Sequence, residues 1–225
     1  ISNATISNFS GSGQDYSVDV TPISEGDVSL NIASDIAQDA AGNLNTSAAQ
    51  LSISYDTTLP TVSISGPSIN QNSPFSVSVI FSEAVTGFSV SDLQVSNANL
   101  TNFNSVSGLE YNVTINPVNN GQVTLDIPSG VAQDEANNLN EASSQFNTTI
   151  DFIPPSLAIN SPSGIQSQPF TVDFIFSELV TGFIAQDIAL DNGALSNFTG
   201  SGTSYSATVT PSSDGAVNIS VAANA

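Results

Sequence analysis

Apolar and polar residues alternate strictly along short stretches of this chain, and the stretches are separated by turn-forming clusters. Phe75, Val77, Val79 and Phe81 are spaced by two, with serines between them until Ile80. Successive side chains of a strand point to opposite faces, so this spacing predicts a half-buried β-strand. In the central part of the chain the same reading gives seven strands. They are A (60–65), B (75–82), C (93–96), D (100–104), E (109–116), F (122–127) and G (145–151), with Gly, Pro, Asn, Asp and Ser between them. No segment carries a sustained apolar period of 3.6 residues, and no apolar run is long enough to insert in a membrane.

The pattern repeats. Phe81-Ser82-Glu83-Ala84-Val85-Thr86-Gly87-Phe88 returns 95 positions later as Phe176-Ser177-Glu178-Leu179-Val180-Thr181-Gly182-Phe183. Leu100-Thr101-Asn102-Phe103 matches Ile6-Ser7-Asn8-Phe9 and Leu195-Ser196-Asn197-Phe198. Tyr16, Tyr111 and Tyr205 each stand six residues before a proline. The organisation expected is residues 1–57 as the back half of one repeat, 58–152 as a complete repeat, and 153–225 as a third without its last strand. Seven short strands in about 95 residues predict tandem immunoglobulin-like β-sandwiches. A β-solenoid would need a period of about 20–30 residues, and none is visible. The repeated Tyr, with Phe81, Phe103, Phe176 and Phe198, are expected in the cores.

Composition narrows the function. Among 225 residues there is no Lys, Arg, His, Cys, Met or Trp, and the net charge is −20. Such a chain cannot neutralise a nucleic acid backbone or anionic headgroups. It can form neither disulfides nor side-chain salt bridges. Without His, Cys or Lys it lacks the usual bases and nucleophiles, so an enzyme is not expected. Eight Asn-x-Ser/Thr sequons (Asn3, Asn8, Asn45, Asn99, Asn112, Asn147, Asn197, Asn218) are about as many as this Asn- and Ser/Thr-rich composition gives by chance.

The stretches 81–97 and 195–211, the Asp-x-x-x-Asn-x-Asn loops at 39–45 and 134–140, and the junction Asp56-Thr57-Thr58-Leu59-Pro60-Thr61 make the chain resemble the bacterial Ig-like domains of large surface adhesins and biofilm proteins. The resemblance covers the whole chain. It implies a secreted or surface-tethered protein of a Gram-negative bacterium, often stiffened by calcium, and points to a stalk, spacer, ligand head or fibre subunit alike. The leading expectation is an extracellular rod. Its partners would be neighbouring repeats, and a cell-surface receptor or glycan that the sequence does not name. A self-polymerising filament joined by strand addition and an array of carbohydrate-binding modules are the alternatives. Tyr55 and Phe152 are the only aromatics placed to suit the last.

The few carboxylates have informative places. In Ig topology the B–C, D–E and F–G loops share one end of the sandwich with the start of strand A. Asp56 in the linker, Glu83 after strand B, Asp92 before strand C, and Asp134, Asn138 and Asn140 of the F–G loop should therefore converge. The next junction would repeat the set as Asp151, Glu178 and Asp187. Asp39, Asn43 and Asn45 would serve a preceding one. With no basic side chain to neutralise them, such carboxylates are solvated, protonated or bound to a cation. An all-oxygen donor set suits Ca²⁺, whereas Zn²⁺ would want His or Cys. The spacing is not that of an EF-hand, and solvated Asx-turns are the plainer reading of loop Asp and Asn.

Overall fold

The computed structural model describes residues 1–223 and divides into two compact units, Ile1–Phe152 and Ile153–Ala225. In the first unit, residues 1–57 form two antiparallel hairpins. One pairs β1 (Ala4–Ser12) with β2 (Asp15–Pro22); the other pairs β3 (Gly26–Leu30) with β4 (Leu51–Tyr55). The rest of the unit is a complete sandwich. One sheet has the order β5 (Val62–Ser65), β6 (Phe75–Phe81), β9 (Glu110–Pro117), β8 (Ala98–Ser105). The other has β11 (Phe146–Ile150), β10 (Gly121–Asp126), β7 (Gln94–Ser96). These are the A-B-E-D and G-F-C sheets of an immunoglobulin fold, as the alternation predicted. The second unit holds β12 (Leu157–Asn160), β13 (Phe170–Val180) and β15 (Gly193–Pro211) in one sheet, with β14 (Ile188–Asp191) and β16 (Asn218–Val221) in the other.

The strands lie within two residues of their expected places. Strand A starts at Val62 rather than Pro60, because Pro60 has no N–H to give to a ladder. Its carbonyl instead accepts a hydrogen bond from Glu141 N at 2.8 Å. Strand D starts earlier than expected, at Ala98, because Asn97 takes φ 59° and turns the chain directly into it.

Each core is made by the inward-facing residues. Val77 and Val79 of β6, Val113 and Ile115 of β9, Val123 and Leu125 of β10 and Ile150 of β11 are buried between the two sheets. Burying each such side chain contributes about 1.5–3 kcal/mol. Phe81, Phe88, Phe103 and Tyr111 close one end, with ring centroids 5.0–6.0 Å apart, and Tyr111 Oη donates to Val85 O at 3.4 Å. Phe176, Phe183, Phe198 and Tyr205 repeat the cluster, and Tyr205 Oη donates to Val180 O. Gly87 and Gly182, at φ 87° and 89°, make the turn that sends Phe88 and Phe183 inward. In residues 1–57 the equivalent Phe9 and Tyr16 also stack, at 5.6 Å, but are 71% and 60% exposed.

Without lysine, the sheet edges of the complete sandwich are protected by backbone geometry. Strand D breaks register between Thr101 and Asn104, with Asn102 in the left-handed region. Asn8 and Asn197 sit in the same conformation. A bulge of this kind spoils an edge for pairing with another chain. Strand C has three residues. Strand G is flanked by Gln71, whose N–H donates to Thr149 O and whose carbonyl accepts from Asp151 N, both at 2.9 Å.

Candidate metal centre at the linker

Three carboxylates from three elements meet where the linker enters the complete sandwich. Asp56 lies in the linker, Glu83 just beyond β6, and Asp134 in the loop between β10 and β11. One oxygen from each lies within 4.8 Å of the others. The backbone places them. Thr86 and Gln133 exchange N–H···O bonds of 2.8 and 3.0 Å, which ties the segment after β6 to the F–G loop. Asp134 is buried and organises its own turn. Its Oδ1 accepts from Asn138 N at 2.8 Å and its Oδ2 from Asn138 Nδ2 at 2.9 Å. The second amide hydrogen of Asn138 goes to Asp56 O at 3.1 Å, so the loop also grips the linker backbone. Asp56 Oδ1 accepts from Thr58 N at 2.9 Å.

The electrostatics follow from this crowding. Desolvation, then the charges of Asp134, Asp56 and Glu25, push the Glu83 carboxyl above its ordinary range. No hydrogen-bond donor among the described residues reaches it. Burial opposes ionisation of Asp134, but the hydrogen bonds from Asn138 and the following backbone outweigh it and hold its pKa low.

The other residues expected at this pole are occupied differently. Asp92 is not part of the cluster. It caps a 3-10 turn at Val90–Asp92, where Oδ2 accepts from Ser89 N and Oγ, both at 2.8 Å. Asn140 is 2% exposed and fully engaged. Its Oδ1 accepts from Val131 N and Ala132 N, and its Nδ2 donates to Pro128 O and Glu141 O, at 2.7–2.9 Å. It holds the loop shut and has no lone pair left for an ion. Asn45 makes the same four bonds to Ile36, Ala37, Ala33 and Thr46. Asp39 accepts from Ala41 N, Asn43 N and Asn43 Nδ2; the Asn43 side-chain bond is the first cause of its lowered pKa. Asp187 repeats the Asp92 cap, accepting from Ile184 N at 2.8 Å. Glu178 is half-buried near the end of β13, and Asp151 is held through its N–H by Gln71.

One acidic residue was missed. Glu25, in the turn between β2 and β3, reaches the linker from the preceding repeat. Its carboxylate accepts from Thr57 Oγ1 and Thr58 Oγ1, each at 2.8 Å, and from Thr57 N at 3.3 Å. The Thr57 and Thr58 side-chain bonds lower its pKa. The signal was present in the topology. The E–F turn of one sandwich lies at the end from which strand G exits, so a carboxylate there faces the next linker.

Tandem immunoglobulin-like sandwiches define a protein built of Ig-like repeats. The model of the bacterial Ig-like domain matches residues 56–150 and again 151–225, and the chain belongs to that family. No curated protein sequence matches it. Among solved structures it is similar to FdeC, an adhesin of Escherichia coli, at 13% identity and a TM-score of 0.43, over 96% of this chain and 76% of that one. It is also similar to invasin, a bacterial integrin-binding protein, at 14% identity and a TM-score of 0.40, over 91% of this chain and 44% of that one. InvD of Yersinia pseudotuberculosis gives 18% identity and a TM-score of 0.31, over 73% of this chain and 52% of that one.

Proposed function

We propose that this chain is a length of extracellular stalk: a rod of Ig-like repeats that carries an adhesive part of a bacterial surface protein away from the cell, with Ca²⁺ bound at the junction. The observation that carries the reading is the linker itself. Glu25 of the preceding repeat holds Thr57 and Thr58, and the next repeat grips the same linker through Asn138 to Asp56 O and Glu141 N to Pro60 O. A linker bonded on both sides transmits direction and load; one left free would not.

Calcium suits the site on chemical grounds. Asp56, Glu83 and Asp134 offer hard oxygens from three separate elements. The chain has no Lys or Arg to neutralise them. A divalent ion with six to eight oxygen ligands would cancel their repulsion, complete its shell with water and main-chain oxygens, and lock linker to loop. The bulged and shortened edges of the complete sandwich support a single-chain stalk over a filament built by strand addition. The aromatic clusters around Tyr111 and Tyr205 are packed in the cores, which leaves the glycan-binding reading only the exposed Phe9, Tyr16, Tyr55 and Phe152.

Small-angle scattering tests the stalk. In millimolar calcium, duplicating residues 58–152 should lengthen the particle by one sandwich, about 30–40 Å on strand rise and linker length, at constant cross-section. An unchanged maximum dimension would show that the repeats fold back on one another.

A further inference from the structure

We infer that the residue at the tip of the E–F turn anchors the linker that leaves its repeat: its side-chain oxygen captures the main-chain N–H of the linker's second residue, and in the first junction Glu25 turns that contact into a clamp of three donors that locks the junction. The inference rests on the stalk reading and goes beyond it, because it assigns the rigidity of the junction to a residue outside the carboxylate cluster.

Two junctions carry the argument. Glu25 and Asn120 hold equivalent places, 95 residues apart, each one residue before the glycine that opens strand F. Thr57 and Phe152 are equivalent in the same way. Glu25 Oε1 accepts from Thr57 N at 3.3 Å, and Asn120 Oδ1 accepts from Phe152 N at 2.8 Å. The residue types have changed and the contact has not, so the contact is what the turn supplies. Both glycines have positive φ, 105° and 109°, which fixes the turn and with it the aim of the preceding side chain.

The two linkers need different amounts of help. Asp56-Thr57-Thr58-Leu59-Pro60 contains one proline, so only one φ angle is fixed covalently. Here the clamp is threefold, with Thr57 Oγ1 and Thr58 Oγ1 both donating to the carboxylate at 2.8 Å. Asp151-Phe152-Ile153-Pro154-Pro155 contains two consecutive prolines, which fix two φ angles covalently. It lacks the threonine hydroxyls, and Asn120 bonds the Phe152 N–H alone of the equivalent donors. The first linker is thus held by a removable polar clamp, whereas in the second two φ angles are fixed by the backbone itself.

Electron-electron distance measurement on the full 225-residue chain tests this. The chain has no cysteine, so Ser17→Cys and Ser76→Cys place one spin label on each side of the first junction. Measurements in chelator keep any bound cation out of the comparison. The parent should give a narrow distance distribution. Glu25→Ala should broaden it about twofold, and so should the linker-side variant Thr57→Val/Thr58→Val, which leaves the E–F turn intact. A narrow distribution in both variants would overturn the clamp while leaving the stalk standing. A distribution already broad in the parent would overturn the clamp and the stiff junction together.

Discussion

Asn138 and Asp56 are 82 positions apart, yet the Asn138 amide donates to the Asp56 carbonyl oxygen at 3.1 Å. The same amide group holds Asp134 with its other hydrogen. One side chain therefore joins the linker to the loop whose carboxylate it also orients. Local loop chemistry and the path of the chain between repeats are set by the same contact.

The closed F–G loop depends on Asn140 in the same way. Removing its side chain leaves two N–H and two C=O groups in a buried or part-buried setting without these partners. Asn140→Ala should cost about 2–4 kcal/mol. Urea unfolding followed by tyrosine fluorescence, compared with the parent chain, measures it. A loss within a few tenths of a kcal/mol would mean that water replaces the clasp without penalty.

Asn102 bears on whether the edge of strand D can pair with another chain. It holds φ 51° at the bulge of strand D, a conformation that a β-branched residue tolerates poorly. Asn102→Val should straighten the edge, cost about 1–2 kcal/mol, and produce concentration-dependent association in sedimentation velocity. A variant that remains monomeric at every concentration would show that the bulge does not guard the edge.

Stability should not fall monotonically with acid. The Glu83 pKa is raised by burial and by its acidic neighbours, so ionised Glu83 weakens the folded state, and stability should rise as the pH falls from neutrality through its folded pKa. Asp134, Asp39 and Glu25 have lowered pKa values. Their contribution is complete above the unfolded carboxylate range and is lost as the pH falls through their folded values. The midpoint of thermal unfolding in chelator should therefore pass through a maximum on the acid side of neutrality and then decline. A steady decline from pH 7 downward would contradict the strain assigned to Glu83.

The fold was legible because its determinants are local. Period-two alternation marked β6 and β9, the 95-residue echo marked the repeat, and glycine and asparagine marked the turns. The site was legible in part. Topology was enough to bring Glu83, Asp134 and Asp56 together. It could not tell which oxygens the backbone would claim first. Asp92 is consumed in capping its own 3-10 turn, and Asn140 in bonding four main-chain groups, and both uses depend on loop geometry that spacing does not encode. Glu25 escaped notice because the loops considered were those of the following repeat alone, whereas a junction is built from the two ends that face each other.

The most direct measurement is thermal unfolding of the parent chain and of Glu83→Gln, each in chelator and in millimolar calcium. At a calcium concentration about a hundredfold above the dissociation constant, a site present only in the folded state contributes about 2.7 kcal/mol. The parent should therefore melt several degrees higher in calcium. Glu83→Gln, relieved of one of three clustered charges, should melt above the parent in chelator and gain little from calcium. A parent indifferent to calcium, or a Glu83→Gln variant that responds as the parent does, would contradict a cation-bridged junction.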